Sequence, residues 1–172
     1  SDVCSSDLPA AFKGFKIVHI SDIHSGSLKD KSAVLKGVEL IEKQKADLVL
    51  FTGDLVNDRA TEMKEWMDVF SKIKAPYGVY STLGNHDYGD YVKWDSLELK
   101  KQNLETLKQV HQQLGWRLLM NENISIQKQE AIIKIVGIEN WGAKARFPKY
   151  GKMELAMQGV SKEDIVILMS HD

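Results

Sequence analysis

Four short clusters of polar residues, each directly after an apolar run, carry the side chains of this chain that could do chemistry. They supply carboxylates, imidazoles and a carboxamide, which are oxygen and nitrogen ligands for divalent cations. When the ends of neighbouring strands deliver such ligands together, they can form a two-metal centre for hydrolysis. The clusters are Asp22-Ile23-His24, the segment 53–58 (Gly-Asp-Leu-Val-Asn-Asp), the segment 84–87 (Gly-Asn-His-Asp) and His171-Asp172.

The spacing within and between the clusters favours shared metal ligands. Asp22 and His24 are two residues apart, so an extended strand end places both side chains on one side. Asp54 follows the next apolar run, and its single carboxylate can bridge two cations. Asn85 offers a neutral carbonyl oxygen, and His171 offers an imidazole. This mixed set without sulfur favours Mn²⁺, Fe or Zn²⁺ over Ca²⁺.

Alternating strand and helix patterns must position these clusters. Apolar, β-branched runs predict strands at residues 16–21, 47–52 and 77–83, and apolar residues at helical spacing predict helices at 32–45 and 62–73. The β-α-β-α-β order predicts parallel strands joined by helical crossovers. Ligands of such sheets gather beyond the carboxyl ends of the strands, which is where the clusters lie.

After Asp87 the pattern changes to shorter elements. Residues 88–95 predict a polar, aromatic loop, and residues 96–114 predict a charged helix with Ser96 as its N-cap. Three short apolar runs then predict an antiparallel meander. An irregular loop, a short helix and a last strand follow it. The runs lie at 116–120, 124–127 and 131–136, the loop at 138–148, the helix at 151–157 and the last strand at 164–170.

The ends and the composition bound the organisation of the chain. Residues 1–8 resemble the in-frame translation of a sequencing-library adapter, so we expect a non-native leader and one domain over residues 9–172, a fragment whose native ends lie outside it. Without Cys4 the chain has no cysteine, which excludes disulfides, a thiolate metal site and a cysteine nucleophile. The net charge of −1 indicates no general affinity for nucleic acid or anionic membranes. No apolar stretch reaches the roughly 18 residues of a membrane span.

The four clusters, in this order, resemble the signature of the calcineurin-like metallophosphoesterases: Asp-x-His, Gly-Asp-x-x-Asp, Gly-Asn-His-Asp/Glu, a lone His and then Gly-His-x-His. The resemblance extends from Phe15 to Asp172. It implies an α/β fold in which two mixed sheets form a sandwich flanked by helices (αββα), incomplete at the C-terminus. It also implies that a hydroxide bridging two metal ions hydrolyses a phosphoester, phosphodiester or pyrophosphate bond, without a covalent phosphoenzyme.

The resemblance implies two divalent metal ions, with Mn, Fe or Zn as the candidates. Asp22, His24 and Asp54 would bind the first ion. Asp54, Asn85 and His171 would bind the second, so that Asp54 is shared.

The resemblance also assigns catalytic roles, and the chain departs from the family pattern twice. His86 would face the substrate, stabilise the transition state and protonate the leaving oxygen, while Asp87 would orient and polarise its imidazole. Asn57 stands where the family often has Asp or Arg in support of the ligands, and Asp58 is a candidate substitute. The Gly-His-x-His motif is absent and is expected beyond residue 172. We therefore expect the 172-residue chain to bind metals weakly and to turn over little or nothing.

The motifs Ser-Asp-x-His and Gly-Asp-Leu-Val resemble those of one subgroup of the family in particular. This subgroup is bacterial and includes membrane-associated members. It implies a phosphorylated small molecule or lipid as substrate, rather than nucleic acid or phosphoprotein. We expect a soluble fragment of a protein that is cytoplasmic or bound to a membrane through a segment upstream of Pro9; the sequence predicts no oligomeric state. The alternative is an inactive metallophosphoesterase-like scaffold that binds protein partners. The presence of all six ligand and histidine positions argues against that alternative.

Several further polar and aromatic residues have plainer interpretations. His19 lies within a predicted strand and is expected to be a core residue or to support a ligand, rather than to bind metal. His111 and the lysines between 93 and 108 are expected on a solvated helix face. For five residues, packing is favoured over substrate contact: Tyr88, Tyr91, Trp94, Trp141 and Arg146.

Overall fold

The computed structural model describes residues 8–142 and 149–172 and contains two β-sheets packed face to face. The first sheet is wholly parallel, with its four strands side by side in chain order; the second is mixed, with one antiparallel and one parallel pairing. The first contains β1 (Ile17–Ile20), β2 (Leu48–Phe51), β3 (Val79–Ser81) and β4 (Arg117–Leu118), and the second contains β5 (Glu122–Lys128), β6 (Ala131–Gly137) and β7 (Val166–Met169).

Helices connect the parallel strands, as the sequence order requires. Asp30 begins the first helix by accepting hydrogen bonds from the backbone N–H groups of Ser32 and Ala33. The predicted cap is confirmed, because Ser96 Oγ accepts from Leu99 N at the start of the longest helix. The helices are α1 (Lys31–Lys43), α2 (Met67–Phe70), α3 (Leu97–Leu114) and α4 (Met153–Ala156), with 3₁₀ turns at Ala10–Phe12, Ser25–Ser27, Ala60–Glu65 and His86–Tyr88.

The sequence of β2 explains the layering. Every residue of this strand is buried, and successive side chains point to opposite faces. Val49 and Phe51 pack into the core shared with the helices, whereas Leu48 and Leu50 pack into the core shared with the second sheet. Helix α4 covers the other face of the second sheet through Ala156. The predicted αββα sandwich is thereby confirmed.

Two predicted elements were wrong. Residues 116–120 do not join a meander with β5 and β6: Arg117 and Leu118 form β4, which pairs in parallel with β3 after the α3 crossover. The predicted helix at 62–73 is a 3₁₀ turn followed by the short α2, although its apolar face is buried as expected at Met63 and Ile73. The 3₁₀ turn forms because the Glu62 carboxylate accepts hydrogen bonds from three preceding backbone N–H groups and tightens the chain there.

The prediction of a solvated His111 was also wrong. This residue is fully buried against the first sheet, and its Nδ1 lies 3.0 Å from Ser81 Oγ. Leu107 and Leu114 flank it on the same buried stripe of α3. Burial lowers the pKa of His111 to about 3, so the imidazole is neutral.

Among the described residues, no helix combines the length and the apolar character that crossing a bilayer requires.

Candidate metal centre

The four polar clusters meet at one end of the sandwich, beyond the carboxyl ends of β1, β2, β3 and β7. Ligand atoms of Asp22, Asp54 and His171 all lie within 4.8 Å of one another. His24 and Asn85 also contact this group, because His24 Nε2 lies 3.9 Å from Asp22 Oδ1 and Asn85 Oδ1 lies 3.0 Å from His171 Nε2. The fold thus brings together all five residues predicted to bind metal.

Asp54 lies at the middle of the group. Its Oδ2 is 3.4 Å from His24 Nε2 and 3.4 Å from His171 Nε2, and its Oδ1 accepts from His86 N at 2.9 Å. Burial raises the pKa of this carboxyl, but the hydrogen bonds from His171 and His86 outweigh it, and the net pKa lies below the usual value. An ionised carboxylate between two imidazoles is the arrangement expected of a ligand shared by two cations.

Three histidines of the site each have Nδ1 next to an oxygen acceptor. His171 Nδ1 donates to Thr52 O (2.9 Å), His24 Nδ1 to Asn57 Oδ1 (3.2 Å) and His86 Nδ1 to Asn57 O (2.7 Å). A histidine that binds a metal through one ring nitrogen usually donates its other N–H in this way. With Nδ1 occupied, Nε2 of His24 and of His171 is the nitrogen left to bind a cation, so the residues present would fit a metal centre.

His171 carries a proton where a cation would bind. The Asp54 carboxylate, chiefly by its hydrogen bond to the imidazole, raises the pKa of His171 to about 9 against the opposing effect of burial. The bonded nitrogen is Nε2, which is also the one within 3.0 Å of Asn85 Oδ1. A cation entering here must displace that proton, which ties metal binding to pH.

The loops that carry the ligands have unusual backbone geometry. Asp22, His24 and Asp54 have φ angles of 56°, 47° and 58°, in the left-handed region that costs non-glycine residues energy. Backbone hydrogen bonds from Asp22 N to Gly53 O and from His24 N to Asp54 O hold the two loops together. Gly84 is required by packing, since a Cβ there would lie 2.3 Å from Asp54 Oδ1.

The predicted pairing of Asp87 with His86 was wrong. The fully buried Asp87 carboxylate accepts four backbone N–H groups, and the carbonyl of Asn57 takes the His86 Nδ1–H instead. Burial, and less strongly the charge of Asp54, raise the pKa of Asp87 to about 7, against the opposing effect of the N–H groups of Gly84, Val56 and Asp54. Asp87 therefore shapes the ligand loop rather than the imidazole. Its donors are Asp54 N (2.8 Å), Gly84 N (2.9 Å), Leu55 N (2.9 Å) and Val56 N (3.3 Å).

Asn57 supports two histidines, one through its side chain and one through its carbonyl oxygen. The neutral carboxamide therefore fills the supporting position, and the suggested substitute Asp58 makes no such bond to His24. Glu62, which the sequence analysis missed, holds this turn by accepting from the N–H groups of Asn57 and Arg59 at 2.7 and 2.8 Å. A carboxylate three residues after the first residue of a helical turn was the available signal.

The family model described as calcineurin-like phosphoesterase matches residues 15–172. The chain belongs to this family. It is 27% identical over 95% of its length to a "transmembrane protein with metallophosphoesterase domain" of Danio rerio, covering 36% of that protein. It is 29% identical over 78% of its length to the "uncharacterized metallophosphoesterase YkoQ" of Bacillus subtilis (strain 168), covering 46% of it. The chain thus spans between a third and a half of these relatives.

Among solved structures, the phosphopantetheinyl hydrolase (PptH) of Mycobacterium tuberculosis is similar over 70% of this chain and 40% of that protein. The sequence identity is 17% and the TM-score is 0.46.

Aromatic residues surround the histidines of this calcineurin-like phosphoesterase domain. The His86 ring lies 4.9 Å from the His24 ring and 4.6 Å from the Tyr91 ring, centre to centre. Tyr88 packs in the core as predicted, because it is buried and its ring stacks on that of Tyr150 with 3.9 Å between the ring centres. The role predicted for Tyr91, packing alone, agrees less well with the structure. Tyr91 is 45% exposed and accepts a hydrogen bond from Asn85, a predicted metal ligand.

Other residues singled out from the sequence lie around the centre. Trp94 packs in its loop through a hydrogen bond to Gly89 O, whereas Trp141 is exposed and Arg146 lies outside the described residues. His19 is exposed on the edge strand β1 rather than in the core. Its Nε2 contacts Thr52 Oγ1 at 2.8 Å, and the carbonyl of Thr52 accepts from His171, so His19 supports a ligand indirectly.

Proposed function

We propose that the chain forms most of the catalytic centre of a metal-dependent phosphoester hydrolase that uses two divalent cations. The observation that carries this proposal is the position of Asp54 Oδ2, at 3.4 Å from two separate imidazole nitrogens whose other nitrogens are already bonded. A structural metal site needs one closed set of ligands, whereas a shared carboxylate suits a pair of ions.

The ligand assignment follows from these contacts. Asp22, His24 and Asp54 would hold one cation, and Asp54, Asn85 and His171 would hold the other. When bound, such a pair of ions activates water at neutral pH and neutralises charge on a phosphoryl group. Mn²⁺, Fe and Zn²⁺ suit the oxygen and nitrogen donors. We also propose that a Gly-His-x-His segment of the native protein adds one further histidine to each ion.

His86 supplies the proton for the leaving oxygen. Its Nδ1–H is held by the carbonyl of Asn57, which cannot donate, so Nε2 is the nitrogen that exchanges protons with the substrate. Its backbone N–H donates to Asp54 Oδ1, which places the acid and the shared ligand on one rigid unit. A fixed imidazole next to a reacting phosphoester contributes through general acid catalysis.

The substrate is proposed to be a phosphorylated small molecule or lipid. Support comes from the Danio rerio relative, whose name joins a metallophosphoesterase domain to a transmembrane protein. Hydrolysis of a simple diester tests the chemistry independently of that choice.

The test is turnover of bis-p-nitrophenyl phosphate by the gene product that contains residues 15–172, with Mn²⁺ and with a chelator. We expect turnover only with the metal, and a loss of about 10²–10⁴-fold in kcat for His86→Ala with Mn²⁺ binding unchanged. Tyr77→Phe is the control, because Tyr77 packs on Phe15 outside the ligand set and the variant should keep most of the turnover. Metal-independent turnover, or equal losses in the two variants, would overturn the proposal.

A further inference from the structure

A carboxamide ligand can bind a cation only in one of its two orientations. Its oxygen accepts and its NH₂ group donates, so a half-turn of the side chain replaces a ligand with a repelling donor. Asn85 is oriented with Oδ1 3.0 Å from His171 Nε2, toward the proposed cation. Something must hold it there, because rotation about the last side-chain bond of Asn is soft.

The other end of the same carboxamide meets Tyr91. Asn85 Nδ2 donates to Tyr91 Oη at 2.7 Å, a short and well-formed hydrogen bond. A half-turn of Asn85 would present its carbonyl oxygen to that phenol and its NH₂ group to His171. In the observed orientation Tyr91 accepts from the NH₂ group while Oδ1 lies next to His171 Nε2, so both ends of the carboxamide are hydrogen-bonded in the orientation that a cation requires.

We propose that Tyr91 is a positioning residue for the second metal ion: its phenol oxygen fixes the carboxamide of Asn85 with Oδ1 toward the ion. This inference rests on the proposed function. The Tyr91 ring, 4.6 Å from the His86 ring, also forms one wall beside the catalytic imidazole.

The loop around Tyr91 is anchored firmly enough for this role. Asp90, the preceding residue, accepts from Lys100 Nζ and from Tyr150 Oη (3.1 Å). On the other side, Trp94 Nε1 donates to Gly89 O at 2.7 Å, and the Arg59 guanidinium lies 4.3 Å from the Trp94 ring centre. These contacts fix the backbone on both sides of Tyr91, so the phenol oxygen has a defined place.

Two functions of the side chain can be separated by substitution. Tyr91→Phe keeps the ring beside His86 and removes the acceptor for Asn85 Nδ2. We expect Mn²⁺ affinity to fall about tenfold, the range typical of groups that orient a ligand, with kcat recovered at saturating Mn²⁺. Tyr77→Phe removes a phenol outside the site and is the matched control; it should bind Mn²⁺ like the wild type.

A double-mutant cycle tests orientation directly. Asn85→Asp supplies a carboxylate whose two oxygens are equivalent, so it needs no partner to choose between them. In that background Tyr91→Phe should change Mn²⁺ affinity by less than about twofold.

The measurement is a Mn²⁺ titration followed by electron paramagnetic resonance, with the side-chain amide signal of Asn85 followed by NMR in the metal-free protein. Wild-type affinity in Tyr91→Phe, or the same tenfold loss in the Asn85→Asp background, would overturn the inference alone. Absence of Mn²⁺ binding and turnover in the wild type would overturn the proposed function and this inference with it.

Discussion

The proposed metal centre has two halves that the fold holds very differently. The buried half consists of Asp54, Asn85 and His171, and the edge half consists of Asp22 and His24. The side chains of Asp54 and His171 are 4% and 10% exposed, whereas those of Asp22 and His24 are 57% and 30% exposed. For Asp54 the difference follows from topology, because β2 has neighbours on both sides whereas β1 lies at the edge of its sheet. His171 follows the edge strand β7 and is covered instead by its contacts with Thr52 and Asn85.

The proposed centre therefore combines a buried half whose side chains are held in place before a cation binds and an edge half whose side chains can adjust. Charges in the buried half interact through a less polar medium and are therefore coupled strongly. The edge half faces water, so the free-energy cost of removing water from its side chains is smaller, and these side chains are held less firmly. We expect the buried half to bind its cation more tightly, and the predictions below test that asymmetry.

The largest effect is expected for the shared ligand. Asp54→Asn keeps the shape of the side chain and removes the charge between two imidazoles, so Mn²⁺ affinity should fall by more than about 100-fold. Asp22→Asn, on the exposed half, should cost no more than about tenfold. Electron paramagnetic resonance of free Mn²⁺ measures both. Equal losses in the two variants would contradict the asymmetry.

The next effect concerns pH. The metal-free pKa of His171 is raised to about 9 because the Asp54 carboxylate holds the protonated imidazole. The proton must leave before a cation binds, so Mn²⁺ affinity should rise about tenfold per pH unit from pH 7 to pH 9. Without metal, the same raised pKa contributes stability that is present below about pH 6.5 and is lost as the pH rises through 9.

His171→Gln separates these contributions. The variant should bind Mn²⁺ weakly, and its affinity should lose the steep rise between pH 7 and pH 9. Isothermal titration calorimetry at three pH values is sufficient. An unchanged slope in His171→Gln would assign the pH dependence to another group.

A smaller loss is expected for the residue that supports the edge half. Asn57→Ala removes the acceptor of the His24 Nδ1–H but leaves the backbone carbonyl that holds His86. Mn²⁺ affinity should fall by no more than about tenfold, while kcat at saturating Mn²⁺ changes little. Asn57→Asp is the conservative partner and should bind at least as tightly as the wild type. A main loss in kcat would show that His86 depends on the side chain as well.

The smallest effect is expected on the pH dependence of folding stability, from His111, which contacts Ser81 on β3. Because its folded pKa is lowered to about 3, the unfolded chain takes up a proton first as the pH falls, and stability is lost below about pH 6.5. Between pH 7.5 and pH 5.5 this costs about 1.4 kcal/mol. Urea unfolding of wild type and His111→Gln at both pH values measures it. Identical pH dependence in the two proteins would contradict a neutral, buried His111.

Much of the fold and of the proposed centre was predictable from sequence, because metal-binding residue types placed directly after apolar strands are a specific signal for a site at the strand ends. Asp22, Asp54 and Asn85 follow apolar strands at the spacing that parallel sheets require, and the structure brings them together as expected. The parallel position of β4 was not predictable, because a two-residue strand leaves almost no pattern.

The partner of Asp87 was unpredictable for another reason. Its four N–H donors are backbone groups, three of them from a loop more than thirty positions earlier, and backbone groups carry no residue type that a sequence could display. His111 was different, because its place between Leu107 and Leu114 at helical spacing already marked the buried stripe.

The left-handed backbone at Asp22, His24 and Asp54 narrows how this site can evolve. Outside glycine, the residues that adopt such φ angles with least difficulty are Asn, Asp and His, which are also the residues that bind these metals. Alanine or a β-branched residue at these positions would add a folding penalty of about 1–2 kcal/mol each to the lost chemistry. A descendant that gave up catalysis would therefore be expected to keep Asn, Asp, His or Gly at these three positions for the sake of folding alone.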